Sequence, residues 1–106
     1  MPDLSPEDQK LVTLARATMA RTGAAEGAAV RDLDGRTYAA GCVALASLRL
    51  SALEVCVAMA VSSGSRGLET AVRLGGEGEP DLRGVREFAG ERVVVHLGDA
   101  RGRIAG

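Results

Sequence analysis

The stretch Ser51-Ala52-Leu53-Glu54-Val55-Cys56-Val57-Ala58-Met59-Ala60-Val61 (SALEVCVAMAV) decides how this chain is to be read. Ser51 followed three residues later by Glu54 is a capping box: the hydroxyl and the carboxylate satisfy two free N–H groups reciprocally at a helix start. The helix from Ala52 then runs apolar nearly all round, through Leu53, Val55, Cys56, Val57, Met59 and Val61, to Ser62-Ser63-Gly64. A helix of that kind is buried on more than one side, in a core or between subunits. It carries one acid and one thiol, so a catalytic pair has to be weighed. The cap accounts for Glu54 without any chemistry, and a buried Cys ordinarily behaves as a small hydrophobe.

Working outward, Ser5-Pro6-Glu7-Asp8 opens an earlier helix, with a cap, a proline suited to the first helical position and acids at the positive dipole end. Leu11, Leu14, Ala15, Thr18 and Met19 follow at helical spacing, and Gly23 ends it. Gly27–Asp32 reads as a strand, Asp32-Leu33-Asp34-Gly35 as a turn and Thr37–Val43 as the partner strand of a hairpin, followed by a loop through Ala46-Ser47. Beyond the central helix, Leu68–Leu74 is a strand and Gly75–Asp81 a polar Gly-rich loop. Asp81 is placed to cap a short helix over Leu82–Phe88. Arg92–Leu97 (RVVVHL) carries the signal of a buried strand, and the last residues are placed to add a short edge strand. The order α-β-β-α-β-α-β implies an α/β fold, an α-β-α sandwich around a mixed sheet.

The 106 residues set one domain, 1–106. A formal net charge of −1, with arginines spread along the chain, argues against a nucleic-acid-binding face. No apolar run is long enough to span a membrane. The acidic N-terminal stretch Met1–Gln9 has no apolar segment of a secretory leader, so a cytoplasmic location is expected, with Cys42 and Cys56 as free thiols. Two aromatic residues, Tyr38 and Phe88, leave little for stacking a flat ring. Cys42, Cys56 and His96 are metal-ligand types, but no CxxC or HxxxH spacing joins them. Gly75-Gly76-Glu77-Gly78 lacks the lysine of a phosphate loop, and Glu77 and Glu79 repel phosphate, so a surface loop is expected. Ser47, Ser51, Ser62, Ser63 and Ser65 fit caps and turns, not a nucleophile elbow.

In sequence order, the chain resembles the small homotetrameric cytidine deaminases over nearly its whole length. The resemblance is carried by Gly27-Ala28-Ala29, Asp34-Gly35-Arg36, Ala46-Ser47, Leu50-Ser51, Val57-Ala58, Ala60-Val61-Ser62, Gly64, Pro80 and Glu87-Phe88. It implies the family's three-layer sandwich and a homo-oligomer, dimer or tetramer. In that family a zinc ion is held by three protein ligands, and a Glu shuttles protons to the base. The residues come as Cys-Ala-Glu at the start of the central helix and Pro-Cys-Gly-x-Cys at the next.

Here the first motif aligns on Leu53-Glu54-Val55, so Leu53 stands at the ligand position and Val55 at that of the catalytic Glu. The second aligns on Pro80-Asp81-Leu82, with its cysteines missing. The ribose-holding Asn-x-Glu aligns on Cys42-Val43-Ala44, the pocket Phe on Ala24, and an Arg beside the metal thiolates on Cys56. Shifting the register by one residue turns the side chain by roughly 100° and takes Glu54 off the pocket face. The resemblance therefore implies a family shape without zinc, without catalytic residues and with altered ribose positions at Cys42 and Ala44. A structural, regulatory or partner-binding role follows, with an unknown protein partner admitted. The competing expectations are a nucleoside deaminase with a rebuilt site and a nucleoside-binding module without chemistry.

Overall fold

The computed structural model describes residues 4–105, so Met1–Asp3 of the stretch read above for a leader lie outside it. Helix α1 covers Pro6–Thr22. Ser5 caps it, its Oγ accepting from the Asp8 N–H at 3.1 Å, and Gly23 closes it. Strands β1 (Glu26–Asp32) and β2 (Thr37–Gly41) form the expected antiparallel hairpin, Ala29 opposite Ala39. Helix α2 covers Ala52–Ser62. Two short strands, β3 (Val43–Ala44) and β4 (Arg49–Leu50), stand where a loop was expected. Strand β5 (Leu68–Gly75) pairs antiparallel with β1, and helix α3 (Arg83–Ala89) crosses over to β6 (Val94–Gly98), which runs parallel to β5. The main sheet has the order β2-β1-β5-β6.

Alternation along β1 assigns its residues to two cores. Ala28 and Val30 face α2 and α3, in a cluster with Ala40, Ala52, Leu53, Cys56, Ala60, Leu68, Ala71 and Val85. Ala29 faces α1, with Leu11, Val12, Ala15, Val72, Leu74 and Ile104. The result is the three-layer sandwich expected from sequence, with a mixed sheet between α1 on one face and α2 with α3 on the other. Gly27 lets α1 sit close: a Cβ there would meet the Ala15 carbonyl oxygen at 2.6 Å.

Several local expectations are corrected. Strand β2 ends at Gly41, not Val43, because the chain turns there into the β3–β4 hairpin, closed by the Leu45 N–H donating to the Leu48 carbonyl at 2.9 Å. On α1, Val12 is buried and Leu14 is 37% exposed, so the packed stripe is rotated toward Leu11, Val12, Ala15 and Thr18. Leu82, not Asp81, is the cap residue of α3. Asp81 sits one position earlier and accepts from the Arg83 N–H at 3.1 Å. The RVVVHL segment is an edge strand, not a buried one: among the described residues β5 is the one strand beside β6, and Val94 is 47% exposed. Among the described residues, the C-terminal segment adds a single bridge, Gly98 to Ile104, and no strand. Helix α2 buries Ala52, Leu53, Cys56 and Ala60, while Ala58 and Val61 are exposed, so one side is left uncovered within the chain.

Candidate functional site

The beginning of α2 is set by its capping box. The Glu54 N–H donates to Ser51 Oγ at 3.1 Å and the Ser51 N–H to Glu54 Oε1 at 2.7 Å. Glu54 is thus occupied by its own helix, as its spacing implied. The next free donor, the Ala52 N–H, is met from a distant element: Glu26, at the start of β1, accepts it through Oε1 at 2.8 Å. A carboxylate at a helix N-terminus is favoured by the helix dipole. The other oxygen of Glu26 lies 3.6 Å from Nε of Arg73 on β5, and both side chains are largely buried. The Arg73 guanidinium also donates to the Gly75 carbonyl through Nη1 and to the Gly78 carbonyl through Nη2, the latter at 2.7 Å. The Gly-rich loop is therefore pinned by a buried cation, and the reading of it as a plain surface loop is incomplete.

Leu53 follows directly on this start and is 1% exposed, within the apolar cluster under α2. Val55 is half-buried and packs against the same cluster. Cys56 is fully buried. Its Sγ donates to the Tyr38 carbonyl at 3.7 Å, and burial pushes the thiol up to about 12, so it stays protonated at neutral pH. At the two ribose-aligned positions, Cys42 is half-buried between β2 and β3 and Ala44 is exposed on β3.

The three metal-ligand types noted in the sequence are not brought together. Cys56 faces the sheet side of α2, whereas His96 Nε2 lies 2.9 Å from Asp8 Oδ2 on the α1 side. There Arg31 joins them, donating to Asp8 and Glu69 at 2.7 Å each and to Thr70 at 3.0 Å. Burial works against the charge on Asp8, but hydrogen bonds from Arg31 and His96 outweigh it and hold the carboxyl below its ordinary value. Proteins hold zinc through Cys sulfur, His nitrogen or carboxylate oxygen. Around the starts of α2 and α3, Glu26 is engaged by Ala52 and Arg73, Glu54 by its own cap and Asp81 by Arg83, while Leu53 and Val55 offer hydrocarbon. The residues present do not fit the zinc that the resemblance implies.

Sequence reading missed two groups. One is Glu26 with Arg73. The other is Asp32, fully buried at the end of β1, which accepts from Ser65 Oγ at 2.5 Å and from the Asp34 and Arg36 N–H groups at 2.9 Å each. Tyr38 Oη lies 3.2 Å from Ser65 Oγ and completes that network. The available signal was Glu26 and Asp32 at the two ends of a strand whose middle, Gly27–Val30, is apolar.

A mixed sheet with one helix on one face, and on the other a helix whose start stands beside a strand-to-helix loop, is the frame of a deaminase-type sandwich. A family model described as cytidine deaminase-like matches residues 4–102, and the chain belongs to that family. Among solved structures it is similar to cytidine deaminase from Burkholderia pseudomallei, at 20% identity and a TM-score of 0.75, over 96% of this chain and 91% of that one. It is also similar to cytidine deaminases from Mycobacterium tuberculosis (24% identity, TM-score 0.66, 96% and 89% covered) and Mycobacterium leprae (19% identity, TM-score 0.66, 97% and 93% covered). At these identities the likeness concerns the fold. A search of curated protein sequences returns no match.

Proposed function

We propose that this chain is a non-catalytic member of the family: a cytidine deaminase-like protein without zinc-dependent deaminase activity, acting in a structural, regulatory or partner-binding role. The observation that carries the proposal is the setting of Leu53. It is aligned on the first zinc ligand and sits 1% exposed in a hydrocarbon cluster with Cys56, Ala60 and Val85. A buried carboxylate without its metal is costly, and Leu53 with Val55 removes that cost by filling the space with apolar volume. The chemistry needs a Lewis acid and a proton carrier side by side. The nearby carboxylates Glu26 and Glu54 are each bound to backbone N–H groups instead.

The same proposal includes a homo-oligomer in the cytoplasm. Its support is the uncovered side of α2, where Val57 and Val61 line a surface cavity with Gly84, Glu87 and Phe88, and the exposed Leu45 and Leu48 of the β3–β4 hairpin. Apolar surface of that kind is typical of contact sites. The two cysteines are free, as a reducing compartment requires. Among the described residues no helix is long and apolar enough to cross a membrane.

The test is ultraviolet-monitored deamination of cytidine and deoxycytidine at high protein concentration. No turnover above the spontaneous rate is expected. Turnover that co-purifies with the protein and is lost in Glu26→Gln or Glu54→Gln would establish a rebuilt active site in place of this reading.

A further inference from the structure

We infer that Arg73 and Glu26 are the chain's own replacement for a metal: a built-in cation and its carboxylate that tie the start of α2 to the loop before α3. The inference rests on the non-catalytic reading above. Those two elements carry the positions that the resemblance assigns to zinc ligands, Leu53 on α2 and the Pro80-Asp81-Leu82 segment before α3. A metal bound to side chains from both would hold them together. Here the same connection runs through protein groups alone. Arg73 grips the Gly75 and Gly78 carbonyls, its Nε lies 3.6 Å from Glu26, and Glu26 accepts the Ala52 N–H at 2.8 Å.

The geometry is specific to these residues. The Arg73 side chain is 8% exposed, and its Nε has no hydrogen-bond partner, so the carboxylate meets it at ion-pair distance only. A guanidinium suits the task because it stays charged at every physiological pH and presents several donors in one rigid plane. The loop is shaped around the pair. Gly76 has φ 75°, and a Cβ there would meet Glu26 Oε2 at 2.5 Å and Arg73 Nη1 at 3.1 Å. A side chain at position 76 would thus be strained in backbone and would collide with both members. The polar pair meets the helix at Ala52, the residue before Leu53, and satisfies three backbone groups: one N–H of α2, the carbonyl at the end of β5 and one loop carbonyl.

The test is hydrogen–deuterium exchange on the full chain for wild type, Arg73→Met, Glu26→Gln and the double variant, with and without a strong chelator. Each single variant is expected to speed exchange about 100-fold at the Gly76 N–H, which donates to the Ala25 carbonyl beside the pair, and at the Ala52 N–H, which donates to Glu26, because removing one member strands the other. The double variant is expected to be little worse than either single one, and the β1–β2 turn to stay protected in all. Arg73→Lys, which keeps the charge but not the fork, is expected to fall about tenfold above wild type and stands in if Arg73→Met does not fold. Unchanged exchange at Gly76 and Ala52 for the Arg73 variants, with an inert chelator, overturns this inference and leaves the non-catalytic reading standing. Faster exchange of the wild type in chelator overturns both, since a bound metal would then be doing the tying.

Discussion

Leu53→Ala is the substitution that weighs the hydrocarbon at the aligned ligand position. The side chain is 1% exposed and lies in the cluster formed by α2 with β1, β2, β5 and α3. Truncation removes three carbons, about 2.4 kcal/mol at roughly 0.8 kcal/mol for each buried methylene. The neighbours are Ala28, Ala52 and Ala60 on short stems and Val30 and Val85, none of which reaches far into a void. A cavity term adds to the transfer term, so about 2.5–5 kcal/mol is expected. That is a large fraction of the total stability of a domain this size and lowers Tm by about 10–20 °C. The chain has one tyrosine and no tryptophan, so urea unfolding followed by far-ultraviolet circular dichroism is the suitable assay. The midpoint falls with the denaturant slope unchanged. Leu33→Ala, at a residue 55% exposed and outside the proposed subunit contact, is the control and stays within about 0.5 kcal/mol. A Leu53→Ala protein as stable as that control would mean that Leu53 borders an open cleft, and the filled-site argument would fail with it.

Ser51→Ala removes the hydroxyl that accepts from the Glu54 N–H and is expected to destabilise by about 1 kcal/mol in the same assay. Asp32 is held below its ordinary value because hydrogen bonds from Ser65 and from the Arg36 and Asp34 N–H groups outweigh its burial. A depressed carboxyl stabilises fully above its unfolded value and loses that contribution as pH falls through the folded value. Wild-type stability should therefore drop below about pH 4. Asp32→Asn should be less stable at pH 7 and show a shallower acid slope, with Asp8, Asp81 and Asp99, whose carboxyls are also lowered, contributing to what remains. Iodoacetamide at pH 8 should label Cys42 in the native protein and Cys56 only after unfolding, read by mass spectrometry, because the buried Cys56 thiol is pushed up to about 12. Equal labelling of both thiols in the native state would contradict its burial.

The elements legible in the sequence were those that local chemistry writes. Ser5 with Pro6, Ser51 with Glu54, Gly23 and the Asp32–Gly35 turn act within a few residues of themselves, and they fixed α1, α2 and the first hairpin. Periodicity placed α1 but rotated it slightly, since Leu14 and Val12 are equally apolar and only the sheet beneath decides which is covered. RVVVHL carried β-propensity without saying how many neighbours the strand would have, so an edge strand read as a buried one. The β3–β4 pair has two residues a side, too short for any alternation to announce it. The polar contacts at the site were invisible for a different reason. Glu26 to Ala52 spans 26 residues and Ser65 to Asp32 spans 33, and nothing local marks a carboxylate as the cap of a helix that far along the chain.

The central claim, that protein groups and hydrocarbon stand where a metal would be bound, meets its most direct test in zinc stoichiometry. Protein expressed in zinc-supplemented medium, dialysed against a weak chelator and measured by plasma mass spectrometry should hold well under one zinc for every ten chains. One zinc retained by each chain, lost only together with the fold, would contradict the account.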